Sequence, residues 1–268
     1  MSKPSPSVLL QEELHRLLWR GTPGREDIIA VLANTVTRLV VQALLEAEQT
    51  DYLLGRGRYE RRGDQSGSRN GYIRGRLRTA AGSIELRVPQ VRGTGVTYRS
   101  SLMSFFGRNS QDLEPLVTEL HVRGICGRDL GSELKEDAFR DATGVRLISR
   151  AAVSQVIHTL WREYQSFIAQ DLSALKVQSL FCAEAFGRLP RRDSEEVPLV
   201  AWCCDVQGRK YLLHLAVGRK ESEAVWAKFF RNVVARGLHL PRTIATRGTP
   251  EMIQAVDAVL VSPFRIDS

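Results

Sequence analysis

The sequence is short of the features that announce metal, membrane or secreted proteins. Its four cysteines, Cys126, Cys182, Cys203 and Cys204, make no C-x-x-C pair, which speaks against a zinc site and for reduced thiols held in a core. Cys203 and Cys204 are neighbours, so on a strand they would point to opposite faces. Long apolar runs are missing too: none approaches the roughly 20 residues that span a bilayer. The opening stretch, MSKPSPSVLLQEELHRLL, carries acids and has neither an apolar signal core nor a small-residue cleavage site. These absences predict a cytoplasmic protein with no membrane partner. Acids are also outnumbered. Lys and Arg total 38 against 30 Asp and Glu, a net charge of +8, and that balance favours a polyanionic partner such as nucleic acid. What is present is an ordinary apolar content, 43% of 268 residues, enough for one large domain or several small ones.

Along the chain the pattern changes several times. A short helix is expected around Leu9–Trp19. A second follows in DIIAVLANTVTRLVVQALLEAEQTDYLL, with Asp27 as N-cap and Gly55 as stop. Leu32, Val36, Leu39, Val40, Ala43, Leu44 and Ala47 share one face of it, as in a core or dimer helix. Next comes an Arg- and Gly-dense stretch, GRGRYERRGDQSGSRNGYIRGRLRT. It reads either as a solvated basic loop or as a set of guanidinium forks for phosphate oxygens. Asn70-Gly71 predicts a turn. GYIRGRLRT and SIELRVPQV alternate apolar and polar residues around Ala81-Gly82 and predict a β-hairpin. Arg74, Arg76 and Arg78 would then form a positive stripe on one face.

Residues 110–165 read as helices, the third beginning after Ser149 and running to about 175. Helix, Gly-containing turn, helix and N-capped helix fit a helix-turn-helix, or equally an ordinary bundle. As a helix-turn-helix it would present Arg150, Ser154 and Gln155 to base edges. From 176 the pattern is β-β-β-α-β-α. VQSLFCAEAF is the first strand, VPLVAWCCDV and KYLLHLAVG a hairpin turning at Gln207-Gly208, and RTIAT the fourth strand. In the helix between, Ala224, Val225, Phe229, Val233 and Val234 are expected to face the core, with Gly237 as stop. The fold class is therefore α+β and multi-domain. It is expected to comprise an N-terminal helical region (1–55), an Arg-rich segment with a basic hairpin (56–109), a helix-turn-helix-like region (110–175) and an α/β domain (176–268) whose element order is that of the start of an RNase-H-like sheet.

Four separated blocks, in order, carry a resemblance. They are SRNGYIRGRLRTAAGSIELRVPQVR, HVRGICGRDLGSELKEDAF, GVRLISRAAVSQVI and VGRKESEAVWAKFFRNVVARGL. Between about residue 40 and about residue 256 the chain resembles the Mutator-type transposases of bacterial insertion sequences. The resemblance implies duplex DNA as partner, in particular terminal inverted repeats. It also implies assembly as a homo-oligomer or with a related transposase. The implied DNA contacts are Arg69, Asn70, Tyr72, Arg74, Arg76 and Arg78 in the hairpin block, then Arg128, Arg150, Ser154 and Gln155.

The family's activity is DNA strand cleavage and transfer on two Mg²⁺ ions about 4 Å apart, held by two aspartates and a late glutamate because hard cations want oxygen ligands. At the expected positions this sequence has Ala183 and Arg247. Glu184 adjoins the first but would substitute only through a slip or bulge. Arg247 has no affinity for a cation, though it suits a DNA phosphate as well as an ordinary surface turn. Asp205 is the nearest other acid and reads as a turn residue beside Gln207-Gly208. The late glutamate would fall beyond the final PFRIDS. The leading expectation is a DNA-binding homologue with a truncated catalytic domain, no metal cofactor and no catalysis of its own. The alternatives are an active transposase or nuclease whose metal site is rearranged around Glu184 and Asp205 or completed by a partner chain, and an interaction protein that inhibits a full-length transposase.

Overall fold

The computed structural model describes residues 3–23, 26–55, 67–79, 82–108, 139, 146–184, 196–219, 221–247 and 249–261. Helix and strand are mixed, in agreement with an α+β class. The chain divides into two compact units. The first comprises Met1–Leu14, Ala33–Arg123 and Gly127–Leu160, the second His15–Leu32, Gly124–Cys126 and Trp161–Ser268.

Helix α1 (Pro6–Arg20) is followed by helix α2 (Ile28–Tyr52), whose Val36, Leu39, Val40, Val41, Leu44 and Leu45 are buried in the first unit. Helix α2 starts where expected: Asp27 Oδ1 accepts the Ile29 and Ala30 N–H groups at 3.0 and 3.4 Å, satisfying donors that have no partner within the helix. The buried surface is wider than the predicted stripe. Val41 and Leu45 are fully buried, whereas Ala43 and Ala47 are only half-buried. By length and composition α2 is long and apolar enough to cross a membrane, which corrects the expectation that no segment is. Its apolar side chains are nevertheless spent on the protein's own core.

Strands β1 (Ser68–Thr79) and β2 (Gly82–Arg92) form an antiparallel ribbon. Leu77 lies opposite Ile84, and both are buried. Asn70-Gly71 is not the predicted turn. It sits inside β1, where the register shifts between Arg69 and Tyr72, and Gly71 takes a φ of 71° that the bulge requires. The chain reverses between Thr79 and Gly82, as the hairpin reading of the two alternating stretches expected. The outer edge of β2 is closed by side chains of α2. Gln42 donates to the Arg87 carbonyl and accepts from its N–H, both at 2.8 Å, and Gln49 donates to the Gln90 carbonyl at 2.7 Å. An exposed strand edge is thereby paired without another strand.

A second buried polar group ties α2 to helix α3 (Ser101–Arg108). Glu48 accepts the Ser101 and Leu102 N–H groups at 2.7 and 3.0 Å and the Ser100 and Tyr98 hydroxyls at 2.5 and 3.4 Å. A carboxylate at a helix start is favoured by the dipole, but burial raises the Glu48 carboxyl above its ordinary value of 4.5, against the lowering effect of these donors. The folded protein therefore holds this proton at pH values where the unfolded chain has lost it. The contribution to stability is full below the unfolded value and falls as pH rises through the folded one. Glu48→Gln is expected to flatten that dependence. Glu48→Ala is expected to cost about 2–4 kcal/mol, because two helix N–H groups lose their acceptor. Urea unfolding at acidic and neutral pH measures both.

Helix α4 (Arg150–Ile168) is capped at its start by Ser149, whose Oγ accepts the Ala152 N–H at 3.2 Å. Asp51 holds Ser149 in turn, through its N–H at 2.9 Å and its hydroxyl at 3.2 Å. The helix ends at Ile168 rather than near 175.

The second unit is built on a four-stranded sheet in the order β5-β4-β3-β6. Its strands are β3 (Val177–Glu184), β4 (Glu196–Asp205), β5 (Lys210–Arg219) and β6 (Thr243–Arg247). β3, β4 and β5 run antiparallel, and β6 returns parallel to β3 after helix α5 (Glu223–Ala235). Helix α6 (Pro250–Val256) follows, continued by a wider turn at Asp257–Val261. α5 is N-capped by Ser222. Its buried residues are Trp226, Ala227, Phe229, Phe230 and Val233, while Ala224 and the 36%-exposed Val234 face outward. The helix is rotated from the predicted face because Trp226 and Phe230, one turn apart, bury far more apolar area than two small residues. Gly21 also belongs to this unit. A Cβ there would run into the Lys210 carbonyl, where Thr22 and Lys210 exchange backbone hydrogen bonds at 2.8 and 3.0 Å.

Candidate functional site

Two surfaces, one in each unit, hold the hairpin arginines and positions 183, 184 and 247. The first is the outward face of the β1–β2 ribbon. Period-two alternation buries Leu77, Ile84, Leu86 and Val88 and leaves Arg74, Arg76 and Arg78 exposed. The register adds a residue that the sequence reading missed: Arg87, exposed on β2, lies directly opposite Arg74. Its signal was the alternation of SIELRVPQV, but its neighbour is fixed only by pairing. Glu85 lies opposite Arg76 and is bonded to its Nη2 at 3.2 Å. Tyr72 is half-buried opposite Pro89, Asn70 is exposed at the bulge, and Arg69 is turned to α2, donating to Thr50 Oγ1 at 2.9 Å.

Of the helix-turn-helix residues, Arg150 and Gln155 are exposed on α4 and Ser154 is half-buried. Arg128, and the turn and preceding helices of that motif, lie outside the described residues.

The second surface is the end of the sheet where β3 and β6 stop together. The parallel register pairs Leu180 with Ile244, Cys182 with Thr246 and Ala183 with Arg247. Backbones in such a pair stand about 4.8 Å apart, so positions 183 and 247, distant in sequence, adjoin. Glu184 occupies the next step of β3, opposite Leu199 of β4. Asp205 lies at the other end of the sheet, level with Val177, about 20 Å from Ala183 at the usual strand rise. Its carboxylate is committed to the turn, accepting the Gln207 and Arg209 N–H groups, both at 2.8 Å, and the Tyr211 hydroxyl at 3.3 Å. Asp205 is therefore not brought to the strand ends, which corrects its standing as a substitute carboxylate. Among the described residues no group of three or more His, Cys, Asp or Glu is placed to hold a metal ion. Cys182 and Cys203 are buried free thiols, each pushed up to about 12 by burial, and Cys204 on the opposite face is half-exposed.

A family model described as transposase, Mutator family, matches residues 22–262. The chain belongs to the Mutator family of transposases. Similar relatives are the transposases for insertion sequence element IS1081 of Mycobacterium tuberculosis, for ISRM5 of Rhizobium meliloti and for IS256 in transposon Tn4001 of Staphylococcus aureus. The first is 26% identical over 237 residues, covering 87% of this chain and 54% of the relative. The second is 25% identical over 227 residues, covering 84% and 54%. The third is 22% identical over 249 residues, covering 87% and 56%. The chain thus spans about half the length of the curated relatives it matches.

For this Mutator-family chain the resemblance implied metal-binding carboxylates at positions 183 and 247. A methyl group offers no lone pair, and a guanidinium is a donor only. The residues at these two positions do not fit a divalent cation, and no chemical step is assigned to one.

Proposed function

We propose that this chain binds duplex DNA at the ends of an insertion sequence and holds no catalytic metal at positions 183 and 247. The observation that carries the DNA-binding reading is the one-sided ribbon: four exposed arginines against one glutamate, on strands whose other face buries Leu77, Ile84, Leu86 and Val88. Such a face suits phosphate oxygens. Arg150 and Gln155, exposed near the start of a capped helix, suit base edges. The sheet order, three antiparallel strands and a fourth returned parallel beside the first, supports an RNase-H-like start to the second unit. Adjacency of Ala183 and Arg247 supports the non-catalytic reading, since a cation cage there would need oxygen ligands on both strands. The partner reading extends to self-association, or to association with a related transposase, on paired element ends.

The test is a titration of labelled duplexes, one carrying the neighbouring element's inverted repeat and one unrelated, with and without Mg²⁺. Binding is expected to weaken steeply between about 50 and 200 mM salt, because bound arginines displace counterions, and not to require Mg²⁺, which should act only as a further competing counterion. Substituting Arg74 should weaken both duplexes alike. Substituting Gln155 or Arg150 should erase the difference between them. A flat salt response would overturn the DNA-binding reading. Mg²⁺-dependent nicking of supercoiled DNA that disappears in Glu184→Gln would overturn the non-catalytic one.

A further inference from the structure

The backbone of Arg87 decides how close its side chain comes to Arg74. In an antiparallel ribbon the N–H and C=O of one residue point to the same side. Those of Arg87 are both taken by Gln42 of α2, so they point away from β1. Arg74 and Arg87 therefore form a non-hydrogen-bonded pair, the narrow type, with Cα atoms about 4.5 Å apart and side chains at their closest. Like charges directly opposite are unfavourable. Among the described residues no carboxylate pairs with Arg74, Arg87 or Arg78, whereas Arg76 is paired with Glu85. Gln42, itself fully buried, holds Arg87 in this register. The ribbon is built with two guanidiniums facing one gap, a third further along, and a fourth already answered by a carboxylate.

We propose that Arg74 and Arg87 clamp a single phosphate of duplex DNA between them, that Arg78 takes a second, and that Glu85 attenuates binding by holding Arg76 where a further phosphate would lie. A phosphate has enough acceptor oxygens for two forks at once, and a guanidinium is shaped for this. The proposal rests on the DNA-binding reading above and adds which arginines act together and which acid opposes them.

Salt dependence separates these statements, because its slope counts phosphates neutralised, about 0.9 for each. The probe is a fluorescein-labelled duplex of unrelated sequence, read by anisotropy across a salt series. If one phosphate is shared, Arg74→Ala and Arg87→Ala should each weaken binding several-fold with the slope nearly unchanged, since the partner arginine still neutralises it. The double variant should lose about 0.9 of slope. Glu85→Gln should bind more tightly and steepen the slope by about 0.9, because Arg76 is released. All these side chains are exposed, and circular dichroism of each variant checks the fold. Two single variants that each lose about 0.9, with a double losing twice that, would overturn the shared clamp. A Glu85→Gln variant that binds no better would overturn the attenuation. Wild-type protein that ignores duplex, or binds it without salt dependence, would sink the DNA-binding reading and this proposal with it.

Discussion

Arg236→Ala is expected to destabilise the protein by about 3–5 kcal/mol, since the Gln170 and Leu213 carbonyls lose a charged donor, the Phe167 carbonyl keeps only the Gln170 N–H, and the packing over the Phe167 ring is lost. The side chain is a staple within the second unit. Nε donates to the Gln170 carbonyl at 2.8 Å, Nη1 to the Leu213 carbonyl at 2.7 Å and Nη2 to the Phe167 carbonyl at 3.0 Å. The guanidinium also lies 5.5 Å over the Phe167 ring. Two of those carbonyls close the C-terminal end of α4, where unpaired acceptors and the helix dipole both favour a cation. This is why α4 stops at Ile168: the segment that follows is tied to the end of α5, with Leu172 donating to the Arg236 carbonyl at 2.7 Å. Burial pulls the guanidinium down to about 10, still a cation at neutral pH. His214, its neighbour, is pulled down to about 3 by burial and by that charge, so it is neutral and packs on Phe229 with ring centres 4.6 Å apart. Arg236→Lys should recover no more than half of the loss, because one ammonium on a flexible stem does not span three carbonyls from separate segments. Urea unfolding followed by tryptophan fluorescence measures this. A change under about 1 kcal/mol for Arg236→Ala would mean that the carbonyls find other partners.

The second large effect is a gain of function in binding. Ala183→Asp combined with Arg247→Asp places two carboxylates on adjoining strand ends. Replacing a cation by an anion there, beside a second anion, changes the Coulomb term with Mn²⁺ by several kcal/mol at an effective dielectric of about 20. Mn²⁺ affinity is therefore expected to rise by on the order of a hundredfold or more over wild type, at about 1.4 kcal/mol for each factor of ten. Calorimetric titration of both proteins checks it, with the thermal midpoint confirming that the variant folds. Tight Mn²⁺ binding by the wild type would contradict the account of positions 183 and 247. No gain in the double variant would mean that the strand ends do not converge as the register implies.

Much of the local structure was legible because it is decided by near neighbours in the chain. Asp27 and Ser149 cap their helices, Gln207-Gly208 turns a hairpin, and the alternation of GYIRGRLRT sets Arg74, Arg76 and Arg78 on one face. Cys203 and Cys204 do part to opposite faces, buried and half-exposed. Asn70-Gly71 misled because the same positive-φ preference serves a bulge as well as a turn. The face of α5 misled because several apolar stripes were available, and the bulkiest side chains settled the choice. The triplet Arg236-Gly237-Leu238 read only as a helix end. Its parts do three different things: Arg236 staples carbonyls, Gly237 at φ 87° lets the turn at Asp171–Ser173 come within 3.3 Å of where a Cβ would stand, and Leu238 enters the core.

By itself the sequence determined the order and type of most described elements, the positive face of the hairpin, and the residue types at positions 183 and 247. Those follow from backbone preference and from periods of two and 3.6 residues, which act over a few positions. Only the tertiary structure decided which strand ends adjoin, that Arg87 stands against Arg74, that Glu85 answers Arg76, and that Gln42, Glu48 and Arg236 spend their polar groups on distant backbone. Periodicity assigns a residue to a face but never names its neighbour. That neighbour is chosen when buried N–H and C=O groups and large side chains from remote segments must all be satisfied together.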